Sequence, residues 1–410
     1  MKPIFTFFTF LTLFTFSLFF DSCQDSGKQP SELVILDIIS ALKNEKELRL
    51  SEIVDSIEYV KLETRPECLI SNAARVIGEK FIVLLNHQPP QVLLFDRSGR
   101  FIRQVGRVGK GPGEYSHPNQ IDLSPDETRI LIADVWPSIF QEFSVDGSFL
   151  SSQKVPQGRE DGPFYLDHRT VVFTRTPFSD SVNYPRVLSM NLDTGETRTL
   201  YYSNYKRNPE RKAGHCLTND FYPINGQVIF KDALCDTVYI INPELNVQPL
   251  FILDIGANTA RYICMSKVEI NSYDHVAYSC LTGKYLLLVG NHSERFHLVY
   301  NLESREAFAL SKLKECRGEN DYPYGIINDL GGTGPYWFWY NAHIRHNTIS
   351  DLLQMPDLKE LVKSDCFLQA DLKTNQYRDR LMKMVEKSLE NDNPIIRIIH
   401  LRKSQNTKNK

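Results

Sequence analysis

The chain has 410 residues, with 47 Lys and Arg against 50 Asp and Glu, so its formal net charge is −3. The two signs are interspersed without a basic stripe of the kind that follows phosphates, which argues against nucleic acid as a partner. A chain of this length suits either two or three average domains or one large ring of repeated units, and short β-branched apolar runs favour sheet over helix.

The first 22 residues match an export signal. Lys2 supplies a positive start, and residues 4–20 form an uncharged run rich in Phe, Leu and Thr. Cys23 and the polar residues after it resemble the cleavage site of a bacterial lipoprotein, in which this cysteine becomes the lipidated first residue. An uncleaved anchor and ordinary secretion are the alternatives, because the apolar run approaches the length of a membrane span. We expect residues 1–22 to be a signal peptide and residues 23–31 a polar tether.

Three predicted elements follow the tether. Residues 33–39 are predicted as a strand, and residues 41–47 as a short polar or helical link. Apolar and polar residues alternate over residues 57–62, which is typical of a half-buried strand.

A hairpin signature in residues 95–115 identifies a repeated unit. It consists of a strand, a tight turn at residues 97–99, a second strand and a glycine-rich loop. Such a hairpin cannot bury its own apolar face, so it must belong to a larger repeated assembly. Similar hairpins start at Phe95, Phe143, Met190, Ile241 and Tyr300. Their spacings of about 48, 47, 51 and 59 residues are in the range of a four-stranded propeller blade, and five copies with a terminal unit predict a ring of six.

The predicted blades occupy successive segments of the chain. Blades one to four cover residues 74–105, 121–155, 164–200 and 221–255, and blade five contains strands at 284–289 and 296–300. The final unit is irregular, because a glycine-rich turn and an aromatic cluster share residues 328–340.

The C-terminal region contains a predicted helix and a last strand. Leu381, Met384, Val385 and Leu389 recur at helical spacing within residues 371–390, which predicts an inserted helix. Residues 395–401 are the last predicted strand, and the polar residues 403–410 are expected to be disordered.

These segments carry a family resemblance that spans about residues 50–402. The segments concerned are residues 95–115 with Pro118, Ile121 and 130–134, residues 51–64, residues 328–332 with Trp337, and residues 393–401. The first looks like an NHL-type blade junction, and together they resemble the six-bladed β-propeller family of bacterial envelope lipoproteins. The resemblance implies an all-β, six-bladed propeller in one domain, residues 32–402, closed by pairing of the N- and C-terminal strands. The family is functionally heterogeneous, so it implies little chemistry.

The glycine-rich loop at residues 106–113 is not a nucleotide-binding loop. Lys110 is followed by Gly111 where a phosphate-cradling loop needs Ser or Thr, and no helix is predicted next. An inter-blade connection explains the glycines. Arg107 and Tyr115 are candidates to face the opening of the ring and contact an anionic or sugar ligand.

The aromatic cluster at residues 336–340 is the best candidate for a binding surface. Trp337 and Trp339 share one face of the predicted strand, and aromatic faces stack on sugars or peptides with little loss of entropy. The alternative is that these rings form the core between two blades. Trp136, in a predicted turn, is a second exposed aromatic candidate.

Cysteines and histidines do not form a recognisable metal or redox motif. Seven cysteines remain after Cys23, without Cys-x-x-Cys spacing, so most are expected to be small apolar core residues. Pairing of Cys264 with Cys280, or of Cys216 with Cys235, is the alternative. His343 and His346 lie on a predicted β segment that does not favour a shared metal ion. We predict no cofactor and no metal.

These observations favour a lipid-anchored, non-catalytic binding or scaffold module of the cell envelope, at the periplasmic face or cell surface of the outer membrane. Its expected partners are an envelope protein, a peptide or a glycan. The N-terminal lipid is expected to attach the protein to the membrane. The alternative is an NHL-like propeller enzyme, a lyase or hydrolase, whose metal or acid–base groups converge in the central channel from different blades.

Overall fold

The computed structural model describes residues 33–402 apart from ten internal gaps, all within a compact unit that begins at Leu33. The gaps are residues 135–136, 157–158, 177–180, 206–214, 217–219, 233–234, 260–263, 266–271, 313–324 and 334–346. The predicted signal peptide, tether and C-terminal tail lie outside the described residues, so those predictions stay open.

The first described segment, residues 33–53, is called the N-terminal strap below. It contains β1 (Val34–Asp37), α1 (Ile38–Ala41), β2 (Glu45–Lys46) and α2 (Leu50–Ile53), and it leads directly into β3 (Val54–Lys61). Asp37 ends β1 and begins α1, because its carboxylate accepts a hydrogen bond from the Ser40 backbone N–H at 2.9 Å. The predicted strand at 33–39 is therefore shorter than expected, because α1 replaces its end, and the predicted link at 41–47 contains the short strand β2.

Blade one is the antiparallel sheet predicted from the hairpin signature. Its strands are β4 (Ala73–Ile77), β5 (Phe81–His87), β6 (Pro90–Asp96) and β7 (Phe101–Val105). Gly99 in the β6–β7 turn has a φ of +87°, and a Cβ atom there would lie 2.2 Å from the Lys61 carbonyl oxygen. The turn therefore needs glycine both for its conformation and for its close approach to β3. The glycine-rich loop that follows holds a short parallel pair, β8 (Arg107–Val108) and β9 (Glu114–Tyr115).

Blades two and three have the same four-stranded antiparallel order. Blade two consists of β10 (Pro118–Leu123), β11 (Arg129–Asp134), β12 (Ile139–Ser144) and β13 (Phe149–Lys154). Blade three consists of β14 (Arg159–Tyr165), β15 (Thr170–Thr176), β16 (Ser181–Asn191) and β17 (Thr197–Tyr205). Apolar residues of neighbouring blades pack into a shared core, as where Val83 and Leu85 meet Ile121 and Ile130. Near-continuous apolar strands suit sheets that are covered on both faces.

Blades four and five continue the ring, each with an extra connecting strand before it. After β18 (His215–Cys216), blade four consists of β19 (Asp220–Ile224), β20 (Gln227–Lys231), β21 (Thr237–Ile241) and β22 (Val247–Asp254). After β23 (Cys264–Met265), blade five consists of β24 (His275–Leu281), β25 (Tyr285–His292), β26 (Glu294–Asn301) and β27 (Ala307–Leu310).

The sixth sheet joins the two ends of the chain. Its described strands are β28 (Thr348–Leu353), β29 (Ile395–Leu401) and β3, in that order. β29 pairs antiparallel with β3 from Ile395 opposite Lys61 to Leu401 opposite Val54, which confirms the predicted closure. The six sheets form a six-bladed β-propeller. In an open sheet the backbone edges of β3 and β29 would be exposed. Ring closure pairs these two strands with each other.

Three short helices lie between β28 and β29. They are α3 (Met355–Leu361), α4 (Asp365–Leu368) and α5 (Gln376–Glu386). The predicted helix corresponds to α5, in which Leu381 and Val385 are buried, but Leu389 lies beyond its end and is 74% exposed. Helices α3 and α4 were not predicted, because they are short and too few apolar residues recur in them to define a helical period. Among the described residues, no helix has the length and apolar composition that a membrane span requires.

The N-terminal strap covers the outer edges of two blades, which the sequence did not predict. β1 pairs in parallel with β22 of blade four, and β2 pairs in parallel with β27 of blade five. The Leu50 backbone N–H then donates to the Ile327 carbonyl at 2.8 Å just before β3 enters the sixth sheet. The strap therefore satisfies the backbone groups of edge strands that would otherwise be free to pair with another chain.

Neither of the two alternative cysteine pairings forms. Cys235 and Cys280 are free thiols, so neither is bonded to Cys216 or Cys264. The backbone register of β18 and β23 instead places Cys216 opposite Cys264.

Each four-stranded sheet has two different ends. In an antiparallel meander the chain enters and leaves at the same end, and the connection between the second and third strands lies there as well. We call this the inter-blade end. The turns between the third and fourth strands, such as β6–β7, lie at the opposite end, while the connections from one blade to the next lie at the inter-blade end.

Candidate functional site

A cavity of about 630 Å³ opens at the inter-blade end of blade four and is called the Lys231 cleft. Residues from three blades and the N-terminal strap line it. They are Lys231, Asp232, Cys235 and Asp236 around the β20–β21 connection, residues 252–256 and Thr259 at the end of β22, residues 274–276 at the start of β24, residues 201–203 of β17, and Ile35 of β1. The cleft is therefore assembled by the ring and not by any one segment.

Lys231 is the last residue of β20 and is only 3% exposed. Its ammonium donates hydrogen bonds to the Val276 carbonyl at 3.2 Å and to the Asp232 carbonyl at 3.4 Å. A buried ammonium needs such oxygen partners, because leaving it without them in a low-dielectric interior is strongly unfavourable. The lysine therefore ties the end of blade four to the start of blade five.

Asp232 is buried and forms an ion pair with a residue of the preceding blade. Its Oδ1 lies 3.7 Å from Nε of Arg186, a fully buried arginine of β16. On the other side of the cleft, the Asp274 Oδ1 lies 3.0 Å from Nδ1 of His292. The inner wall of the cleft thus carries carboxylates that face cationic or imidazole groups from the same molecule.

Asp220 lies behind the cleft at the start of β19. Burial raises the pKa of its carboxyl to about 6, although Lys231 and the Ser279 hydroxyl oppose that rise. The Ser279 hydroxyl donates to the Asp220 carboxylate at 2.6 Å. This carboxyl therefore titrates close to neutral pH in the folded protein.

His275 contributes a ring to the lining of the cleft. Burial lowers the pKa of its imidazole, and the charge of Lys231 acts in the same direction, while a contact with the Tyr273 carbonyl opposes them. The ring Nδ1 lies 3.0 Å from that carbonyl oxygen. The imidazole is therefore neutral at pH 7, and it adds no positive charge to the cleft.

Two further carboxylates stand at the mouth of the cleft. Asp236 accepts a hydrogen bond from the Thr237 hydroxyl at 2.8 Å, and Asp254 accepts one from the Gly256 backbone N–H at 3.1 Å. Both are exposed, and within the described part of the chain neither forms an ion pair. Among the described residues, the lining therefore carries four carboxylates against one ammonium, that of Lys231.

Aromatic and thiol groups complete the walls. Tyr202 is 52% exposed, while the Tyr201 ring packs edge-on against Phe230 with ring centroids 5.0 Å apart. Cys235 is a half-buried free thiol whose sulfur accepts from the Thr237 backbone N–H at 3.4 Å. These groups give the cleft an aromatic wall beside its carboxylates.

The two predicted site residues in the glycine-rich loop have different positions. Arg107 has a 78% exposed side chain, and its Nε donates to the Glu114 carboxylate at 2.7 Å. The backbone N–H groups of Lys110 and Gly111 donate to the same carboxylate, each at 2.9 Å. The Gly111 N–H and then Arg107 lower the pKa of Glu114. The loop therefore encloses a carboxylate of its own chain.

Tyr115 is fully buried, and its hydroxyl accepts a hydrogen bond from the Val92 backbone N–H at 3.1 Å. Its ring belongs to the core shared by blades one and two. In this conformation the ring packs against a neighbouring blade and does not reach a ligand surface. The alternation of the sequence did not distinguish a ring that faces a neighbouring blade from one that faces solvent.

The other predicted site residues, Cys23, Trp136, Trp337 and Trp339, lie outside the described residues, as do His343 and His346. Their roles remain predictions. None of the side chains that line the Lys231 cleft was predicted from the sequence to bind a ligand. The signal that could have found them was Lys231-Asp232 directly after the apolar run of β20, where a charged pair at a strand end marks a connection at the inter-blade end of the sheet.

The described part of the chain contains no group of three or more His, Cys, Asp or Glu side chains arranged to hold a metal ion. The groups that line the cleft can bind a ligand through charge, hydrogen bonds and aromatic contacts.

Comparison with known proteins gives a family and a fold. Residues 33–400 match the model of a family described as a domain of unknown function, DUF4934. No curated protein matches the chain in sequence.

Solved structures share the architecture at low sequence identity. A Bacteroides fragilis NCTC 9343 protein described as exported (BF0058) is 15% identical, with a TM-score of 0.62 over 90% of this chain and 100% of that one. A DUF4221 family member from Bacteroides vulgatus ATCC 8482 is 11% identical, with a TM-score of 0.50 over 88% of this chain and 99% of that one. At these identities the likeness concerns the fold alone.

A virginiamycin B lyase from Staphylococcus aureus is more distant. It is 10% identical, with a TM-score of 0.36 over 63% of this chain and 75% of that one. A likeness this low supports no argument about catalysis.

Proposed function

The chain belongs to the DUF4934 family, and we propose that it is an exported, non-catalytic binding module that holds a positively charged peptide ligand in the Lys231 cleft. The observation that carries the proposal is the uneven pairing of charges in this cavity. Asp232 and Asp274 face Arg186 and His292, whereas Asp236 and Asp254 at the mouth have no cation within the described residues.

Buried and exposed carboxylates have different roles in this proposal. Asp232 links blade four to blade three, and Asp274 pairs with His292 at blade five, so both are already partnered and a ligand gains little by competing for them. The outer carboxylates are hydrated, and an ammonium group can bind to them without breaking an internal pair. The exposed Tyr202 ring adds a surface on which the aliphatic part of a lysine or arginine side chain can lie. A neutral glycan would leave the excess negative charge of the cleft uncompensated.

A cell-envelope location forms part of the proposal. The export-type N-terminus and Cys23 support it, and the Bacteroides fragilis protein with the same fold is described as exported. The finer proposal is a lipid anchor at Cys23. Replacing Cys23 with Ser should move the protein from the membrane fraction to the soluble fraction, and continued retention in membranes would argue against lipid attachment.

Calorimetric titration with tri-lysine and tri-glutamate tests the ligand class. We expect tri-lysine to bind and tri-glutamate not to bind. The double variant Asp236→Asn, Asp254→Asn should weaken tri-lysine binding by about tenfold, since two charge-assisted contacts are lost. The matched control is Asp55→Asn, Asp371→Asn, which removes the same charge from exposed sites outside the cleft. Equal losses in both double variants would mean that tri-lysine senses only the overall charge, and the proposal would fail.

A further inference from the structure

A second concavity, called the α5 groove, lies between the end of β3 and helix α5. Its volume is about 650 Å³. Its lining among the described residues has four cationic side chains and one carboxylate: Lys61, Arg380, Lys383, Lys387 and Asp379. Four cations against one anion give it the opposite character to the Lys231 cleft, in a chain whose net charge is −3.

The scaffold under this groove is fixed. Leu381 and Val385, on the opposite face of α5, are buried in the core cluster that also contains Tyr59 of β3. Nη2 of Arg380 donates to the Tyr59 carbonyl at 3.3 Å, which links α5 directly to the strand that closes the ring. The groove is therefore formed by two elements whose relative position is set by core packing.

The cations of the groove fall into two classes. Lys61 pairs with Asp392 at 2.9 Å, and Arg380 is held by the carbonyl of Tyr59. Lys383 and Lys387 are exposed, and no described residue forms an ion pair or hydrogen bond with either side chain. The α5 groove is therefore lined by two cations that the protein itself holds in place and by two that have no partner among the described residues.

Helix chemistry alone does not explain this arrangement. A basic residue in the last turn of a helix is stabilised by the helix dipole, and that effect accounts for Lys383 and Lys387. It does not account for Arg380 in the middle of α5 or for Lys61 on a different element. Like charges three or four residues apart on one helix face repel each other, so the cluster lowers helix stability. An anionic ligand would remove that repulsion.

We propose that the α5 groove binds a phosphate ester. Arginine presents planar donors that match two phosphate oxygens, and lysines add compact charges around them. The volume exceeds what an inorganic phosphate ion would fill, so the phosphate is carried by a larger group, either a soluble sugar phosphate or the headgroup of an anionic lipid. The groove and the Lys231 cleft differ in charge and in position, so either proposal can fail without the other.

The test compares the two sources of phosphate in one protein background. The full chain carrying Cys23→Ser is used throughout, so any contribution of the N-terminal segment is common to all samples. Glucose 1-phosphate is titrated by calorimetry, and binding to phosphatidylglycerol vesicles is measured by flotation against phosphatidylcholine vesicles. Lys383→Gln, Lys387→Gln is the groove variant. Lys363→Gln, Lys373→Gln is the control, because both residues are exposed and lie in the same helical insertion outside the groove.

The possible outcomes distinguish a soluble phosphate ester from a lipid headgroup, and they also show whether the groove binds phosphate at all. Binding of glucose 1-phosphate that the groove variant weakens at least tenfold, while the control changes it less than threefold, supports a soluble ligand. Vesicle binding with a loss of about 30-fold in the groove variant alone supports a lipid headgroup, since each lysine near an anionic surface contributes about 1 kcal/mol. Absence of binding to both probes, or equal losses in the groove variant and the control, overturns the proposal.

Discussion

The Lys231 cleft and the α5 groove have similar volumes, about 630 and 650 Å³, but they hold their charges in different ways. In the cleft, Lys231 and Asp232 are buried where three blades of the ring meet. In the groove, Lys383 and Lys387 extend from a helix that packs on the outside of the closing sheet. The buried charges of the cleft are therefore coupled to folding, whereas Lys383 and Lys387 in the groove can bind a ligand without supporting the fold.

The largest expected effect comes from removing the buried ammonium of the cleft. Lys231→Met should lower the free energy of unfolding by about 3–5 kcal/mol, since the neighbouring buried carboxylates lose a cation and the Val276 carbonyl loses a donor. Denaturant unfolding at pH 7 measures this change. Lys383→Met is the matched control in the groove, and it should alter the free energy by no more than about 0.5 kcal/mol. Similar values for the two variants would remove the distinction between the two regions.

A pH-dependent effect of intermediate size is expected from Asp220. Its folded-state pKa of about 6 lies above the ordinary value of 3.8, so the folded chain holds this proton more tightly than the unfolded chain. Stability from this group is present at low pH and is lost as the pH rises from about 4 to 6. The loss amounts to about 3 kcal/mol, because every tenfold difference in proton affinity between the folded and unfolded chain corresponds to about 1.4 kcal/mol.

The Asp220→Asn variant isolates this contribution. The amide of the variant does not ionise, so the variant should gain stability relative to the unmodified chain as the pH increases from 4 to 7. Urea unfolding of both proteins at several pH values measures the difference, in which the other titrating groups cancel. A difference that stays constant over this range would contradict the raised pKa.

The smallest effect is expected in the groove. Lys383→Gln, Lys387→Gln should leave the free energy of unfolding within about 0.5 kcal/mol of the unmodified chain, because the repulsion that is removed and the favourable interaction with the helix dipole that is lost oppose each other. Thermal and denaturant unfolding measure it, and added salt should bring the value still closer to that of the unmodified chain. A loss of more than about 1 kcal/mol would mean that these lysines support the fold.

The repeated part of the architecture was predictable because it is local. A strand, a turn with Asp or Asn and Gly, and a second strand recur along the chain, and Asp96 shows why: its carboxylate accepts from the backbone N–H groups of Ser98 and Arg100. Closure through β3 and β29 followed from the family resemblance, since local patterns predict only that each end is a strand. The parallel pairing of β1 with β22 did not, because no local signal specifies which distant edge a short strand will cover.

The cleft was not predictable for the same reason. Ile35, Tyr202, Lys231 and His275 are far apart in sequence, and only the ring brings them to one cavity. The candidates chosen from local patterns do not line the cleft. Tyr115 is a core residue, and Arg107 pairs with the Glu114 carboxylate inside its own loop. A glycine-rich loop and an isolated aromatic residue indicate a connection between blades, but they do not indicate which side chains face a ligand.

The most direct test of the proposed function is a crystal structure of the protein with tri-lysine bound. The account predicts an ammonium group of the peptide within hydrogen-bond distance of the Asp236 or Asp254 carboxylate, with the peptide chain beside Tyr202. A peptide found outside the Lys231 cleft, with both carboxylates still hydrated, would contradict it.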